Sequence, residues 1–125
     1  MKKNKVSIKT GSSDDFFHRV RGRAEKLDRG ESLPAEITIS FEDPMELLSI
    51  LTSERVRLLE RVKAASQPIS DLADDLKRDV RAVSRDVDVL EKAGLLRTSY
   101  RPNPGHGRLK IVAALARQYR LTANL

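Results

Sequence analysis

The sequence predicts a mainly α-helical fold with a small β component: three closely spaced helices closed by a β-hairpin, with a helix-and-strand extension in front. Three observations predict it. Between residues 53 and 93, apolar residues recur at helical spacing in three blocks, separated by a proline break and then by a two-residue link. Beyond them, two short apolar runs flank a turn dense in proline and glycine. Ahead of them, an amphipathic helical pattern precedes a stretch that alternates polar and apolar.

In chain order, residues 1–12 are basic and polar and predict a mobile start. Residues 13–29 predict a helix. Ser13 can cap it, Asp14 and Asp15 suit the positive end of its dipole, and Gly30 stops it. Phe16, Phe17, Val20, Ala24 and Leu27 make one narrow apolar stripe opposite Arg19, Arg21, Arg23 and Lys26, so this helix needs a partner surface. Residues 36–42 (EITISFE) alternate as a half-buried strand does. Asp43 then caps a short helix with Pro44 at its first position, running to about residue 51.

Thr52 or Ser53 caps the next helix, 53–65, with Val56, Leu59 and Val62 inward, and residues 66–68 break it. Ser70 caps a short helix to Leu76, with Leu72, Ala73 and Leu76 inward. Lys77-Arg78 leaves room only for a tight turn. Asp79 caps a helix over 80–93 that Gly94 ends. Residues 95–100 and 108–112 are the strands of the hairpin, and 101–107 (RPNPGHG) its turn. Residues 117–125 alternate weakly and predict a closing strand.

Composition excludes several classes. There is no cysteine, hence no disulfide or thiol chemistry, which fits a cytoplasmic protein. The two histidines, His18 and His106, cannot make a metal site without other ligands, so no metal and no cofactor are expected. Gly105-His106-Gly107 sits in a hairpin and not before a helix, so it is no phosphate loop. No nucleophile has a plausible base, and an enzyme is not expected. The N-terminus lacks the apolar core of a secretory signal, and no apolar run is long enough to span a membrane. The formal net charge is +6, and residues 100–125 hold five Arg or Lys and no acid, a candidate polyanion contact.

The helix at 80–93 carries the most informative pattern. At 100° per residue, Val80, Val83, Val87 and Leu90 share one side. Arg81, Arg85 and Lys92 lie opposite, flanked by Ala82, Ser84, Asp88 and Val89. Apolar inward, with long donors and small side chains outward, is what a helix entering the DNA major groove needs. Asp86, Asp88 and Glu91 speak for an ordinary solvated face instead, since acids are costly near phosphate. The hairpin tip, with Arg101, Asn103, His106 and Arg108 and with Lys110 beyond it, is stiffened by Pro102 and Pro104 and can lie along a minor groove or phosphate ridge.

Three helices followed by a hairpin are the order of a winged helix-turn-helix. Residues 69–96 (ISDLADDLKRDVRAVSRDVDVLEKAGLL) resemble the helix-turn-helix of MarR- and ArsR-like winged-helix regulators, and 83–96 resemble the end of their recognition helix and the turn into the wing. The resemblance covers about residues 43–113 and is closest to small prokaryotic regulators with a β-containing extension, some of them antitoxins. It implies a sequence-specific transcription regulator that binds double-stranded DNA as a homodimer, or alternatively an antitoxin that neutralises a neighbouring toxin and represses the shared operon. It also implies the contacts. Arg78, Arg81, Ala82, Ser84, Arg85 and Lys92 belong to the recognition helix, and Arg97, Tyr100, Arg101, Asn103, His106, Arg108 and Lys110 to the wing. The organisation expected is an extension (1–42) for dimerisation or partner binding, a DNA-binding domain (43–113) and a C-terminal strand or tail (114–125).

Overall fold

In the computed structural model, which describes residues 5–11, 13–30 and 32–125, the chain forms five helices and six strands. In chain order these are β1 (Lys5–Lys9), α1 (Ser13–Asp28), β2 (Glu36–Phe41), α2 (Pro44–Ile50), α3 (Ser53–Ala64), β3 (Gln67–Pro68), α4 (Ile69–Leu76), α5 (Val80–Lys92), β4 (Leu96–Pro102), β5 (Arg108–Ala114) and β6 (Tyr119–Ala123). The fold is therefore mixed α/β, richer in strand than the expected mainly α architecture. The excess comes from β1, where a mobile segment was expected, and from β3, where only a helix break was. Residues 1–4 and 12 of the expected start, and the Ser13 side chain expected as a cap, lie outside the described residues. No helix among the described residues is long and apolar enough to cross a membrane.

Two compact units divide the chain. The first combines residues 1–52 with 115–125. Its sheet has the order β1-β2-β6 with every pairing parallel. Parallel neighbours need a crossover, and α1 supplies it between β1 and β2. Along β2, Ile37, Ile39 and Phe41 are buried while Glu36, Thr38 and Ser40 are half-buried, the alternation the sequence predicts. Ile8, Phe16 and Leu27 complete this core with Ile50, Leu115 and Ala116. Asp43 caps α2 as expected, accepting the N–H of Met45 at 2.9 Å, with Pro44 in the first turn. The Tyr119 hydroxyl accepts the N–H of Leu115 at 2.7 Å. Burial of that ring pushes the phenol pKa up to about 12, against the pull of the hydrogen bonds from Leu115 and Ala116.

The second unit is Ser53–Ala114. Its core draws on Leu58, Leu59 and Val62 of α3, Leu72 and Leu76 of α4, Val83, Val87 and Leu90 of α5, and Leu95, Leu96, Ile111 and Val112 beyond. Two inward assignments change. Leu58 is fully buried in place of Val56, and Val80, in the first turn of α5, is half-exposed. The hairpin β4-β5 runs antiparallel from Leu96↔Ala114 to Pro102↔Arg108, and β3 adds to the far side of β5 through Gln67↔Val112 and Pro68↔Ile111. The start of α4 also differs from expectation. Pro68 occupies the cap position and no side chain bonds there, because the chain enters α4 straight from the β3 pairing.

The link between α4 and α5 is closed by backbone geometry. Lys77 adopts a left-handed conformation (φ 54°), its N–H donates to the Asp74 carbonyl, and the Arg78 N–H reaches back to Ala73 at 3.0 Å. That pair of bonds ends the helix in a single residue. Gly94 (φ 84°) ends α5 likewise, with Leu95 donating to Leu90 at 2.9 Å, and the chain turns at once into β4.

Candidate nucleic-acid interface

Helix α5 begins where Asp79 accepts the N–H of Arg81 at 3.0 Å. Val83, Val87 and Leu90 are fully buried. With one face fixed by packing, helical periodicity sends Arg81, Arg85, Asp88 and Lys92 to the opposite side, and all four are exposed. Ala82 and Ser84 are half-buried beside this stripe. Among the described residues, no hydrogen bond or ion pair engages the side chains of Arg81, Arg85 or Lys92.

The acids of α5 go elsewhere. Asp86 accepts from Arg55 Nε at 3.0 Å and faces Arg78 Nη1 at 2.8 Å. Its side chain is 13 % exposed and both arginines 21 %. Arg78 also meets Glu54 at 3.1 Å. This network ties the start of α3, the α4–α5 link and the middle of α5 together. Glu91 is likewise engaged: one carboxylate oxygen accepts the Thr98 N–H at 2.8 Å and the Thr98 hydroxyl at 2.7 Å, which fixes β4 against the end of α5. Only Asp88 remains with the exposed cations.

These placements sort the residues expected at this helix. Arg81, Arg85 and Lys92 share one exposed face, with Ala82 and Ser84 at its margin. Arg78 stands apart, its guanidinium held by Asp86 and Glu54. Sequence reading passed over Lys77, an exposed cation at the left-handed turn that leads into α5. The tightness of the link was the only signal for it.

In the hairpin, strand alternation splits the expected residues between two faces. Tyr100 lies opposite Lys110, and Pro102 opposite Arg108, on one face; Arg97 opposite Ala113 and Arg101 opposite Leu109 occupy the other. The Arg108 guanidinium sits 4.6 Å from the centroid of the Tyr100 ring, a cation–π contact that sequence reading did not foresee. The tip is held by Asn103 and Gly107 (2.9 Å) and by His106 and Asn103 (2.8 Å), with Gly105 and Gly107 at positive φ. Arg101, His106 and Arg108 are exposed there, Asn103 and Lys110 are half-buried, and Arg97 is half-buried at the base of the hairpin. Chemically, the unit offers long exposed donors on a packed helix and a stiff hairpin tip with more. Among the described residues, no group of three His, Asp or Glu side chains could hold a metal ion.

A model of the HVO_A0114 family matches residues 50–113 of this chain. No curated protein matches it. Among solved structures, one named "possible transcriptional regulator", from Methanosarcina mazei Go1, is similar with a TM-score of 0.48 and 22 % identity, over 55 % of this chain and 62 % of that one. The chain thus spans somewhat less than two thirds of that relative's length.

Proposed function

We propose, from the premise that the chain belongs to the HVO_A0114 family, that residues 53–114 form a winged helix-turn-helix and that the protein is a transcription regulator binding double-stranded DNA by sequence. One observation carries the reading. The face of α5 left outside the core presents Arg81, Arg85 and Lys92 without protein partners among the described residues, while Asp86 and Glu91 are turned into structural contacts. Arg81 and Arg85 are the base-reading candidates, since a guanidinium bonds guanine at two acceptors. Arg108, held over Tyr100, and Arg101 and His106 at the hairpin tip are phosphate or minor-groove contacts. The protein acts by binding, with no catalytic step, cofactor or metal. A homodimer belongs to the proposal because one such helix reads only a half-site, and two-fold symmetry matches a palindromic operator.

The test is fluorescence anisotropy on DNA from the region upstream of the gene and on a scrambled duplex, each at two salt concentrations. Tighter binding to the upstream DNA, weakening steeply with salt, is the expected result. Equal or absent binding to both duplexes overturns the proposal.

A second reading, an antitoxin whose first unit holds a toxin, draws support from one observation. Met45 and Leu48 project from α2 about two-thirds exposed, one turn apart. Co-purification with the product of an adjacent gene, lost on Leu48→Asp, is expected in that case, and an absent neighbouring gene removes the reading.

A further inference from the structure

The parallel sheet of the first unit carries a second cationic surface. Parallel sheets are ordinarily covered on both faces. Here Ile8, Ile37, Ile39 and Phe41 take the covered side. The pairing register fixes what shares the other. Across the strand order, Lys5 pairs with Glu36, Thr38 lies between Ser7 and Arg120, and Ser40 lies between Lys9 and Thr122. Lys5, Ser7, Lys9 and Arg120 are exposed. The face therefore presents three cations, four hydroxyls and one acid, with no apolar side chain. Glu36 accepts from the Thr38 hydroxyl at 3.4 Å, and Ser40 and Thr122 bond each other at 3.1 Å. Among the described residues no ion pair engages Lys5, Lys9 or Arg120.

The spacing selects the occupant. Lys5 and Lys9 are about 13 Å apart along β1, and Arg120 lies two strands away, about 10 Å across the sheet. Such a triangle suits an extended polyanion better than a single phosphate. No aromatic ring lies on the face, so it offers no platform for stacking unpaired bases. Charge and hydroxyl donors spread over a sheet face without a stacking group match the sugar-phosphate backbone of a duplex.

We propose that this face of the β1-β2-β6 sheet binds the phosphate backbone of double-stranded DNA without reading its sequence, as a contact surface additional to α5. The test uses the full chain and a scrambled DNA duplex, with anisotropy measured across a salt series. Lys5→Gln/Lys9→Gln/Arg120→Gln lowers the slope of log affinity against log salt by about 2 to 3, since each phosphate contact contributes about 0.9. The charge-conserving Lys5→Arg/Lys9→Arg/Arg120→Lys keeps the slope, which separates lost charge from lost fold. Arg21→Gln/Lys26→Gln/Arg29→Gln removes the same net charge from exposed positions in and just after α1 and leaves the slope nearly unchanged. The sheet variant is repeated on an Arg81→Gln/Arg85→Gln background, so failure of the α5 reading shows separately. An unchanged slope in the sheet variant, an equal loss in the α1 variant, or a loss seen only with duplex RNA overturns the proposal.

Discussion

Replacing Asp86 with alanine separates two roles that an acid on a helix proposed to face DNA can have. The structure places Asp86 in a clamp, between Arg55 at 3.0 Å and Arg78 at 2.8 Å, with 13 % of its side chain exposed. At about 3 Å and an effective dielectric of about 20, each pairing is worth roughly 5 kcal/mol before desolvation is charged against it. After desolvation, a hydrogen bond to a charged group contributes about 1.5–3 kcal/mol, and removing Asp86 takes its carboxylate from two half-buried guanidiniums at once. Asp86→Ala is therefore expected to destabilise the second unit by about 3 kcal/mol. With a urea m-value of about 1–3 kcal/mol/M, the midpoint falls by at least about 1 M.

Glu54→Ala is the internal comparison. Glu54 meets the same Arg78 but is 50 % exposed, and such pairs contribute about 0–1 kcal/mol. Urea unfolding followed by circular dichroism measures both variants. Anisotropy under folded conditions supplies the second arm. A clamp acid lies off the exposed cation stripe, so Asp86→Ala is expected to leave affinity unchanged or lower. Destabilisation below about 0.5 kcal/mol, or tighter DNA binding by the variant, refutes the assignment.

Asp88→Asn is expected to act the opposite way: stability is unaltered, and every duplex binds several-fold tighter, because this is the acid that shares the exposed cation stripe. Arg85→Ala costs about 1–3 kcal/mol on the specific operator if it reads a base, and the anisotropy contrast between operator and scrambled duplex measures it. Lys77→Gly stabilises by about 0.5–1 kcal/mol in thermal unfolding, since the left-handed φ of 54° strains any residue with a Cβ. Tyr119→Phe tests the half-buried phenol. The folded pKa is raised from 10.0 to about 12, so the native state holds that proton more tightly than the unfolded chain does. Its contribution is complete below pH 10 and is lost as pH rises toward 12. The alkaline loss of stability should be about 2–3 kcal/mol greater in the parent protein than in Tyr119→Phe, measured by urea titration across that range.

What was legible in the sequence was local. The Asp43-Pro44 and Asp79 caps, the Gly94 stop, the inward Val83, Val87 and Leu90, and the proline–glycine hairpin all rest on interactions within a few residues. The sheet order of the first unit was not legible, because its pairings are distant. Ser40 and Thr122, bonded across β2 and β6, are 82 positions apart, and Thr10 reaches Ser40 over 30. Residues 5–9 alternate as a strand does, but with a lysine at each end and only two apolar residues they look like a polar tail; β2 makes them a strand. The same locality limited the reading of the site. Helical periodicity places Asp86 off the exposed stripe, yet only the fold brings Arg55 and Arg78 to it.

That difference bears on how charge along a chain should be read. Residues 41–99 hold 12 acids and 10 bases, an unpromising balance for a segment that contains the proposed DNA-reading helix. Within α5 itself, three bases stand against three acids. Summed along the sequence, the helix is neutral and its attraction for phosphate is nil. Two of those acids, however, are consumed within the protein, Asp86 by arginines of α3 and of the α4–α5 link and Glu91 by the backbone and hydroxyl of Thr98. The exposed face is left with three cations and one acid. Phosphate responds to the potential at the surface it approaches, and a carboxylate already paired with two guanidiniums adds little to it. In the proposed binding mode, Asp86 thus serves indirectly, by holding the helix that presents Arg81 and Arg85. The opposite responses expected of Asp86→Ala and Asp88→Asn follow from that argument, although the two residues lie within one turn of the same helix.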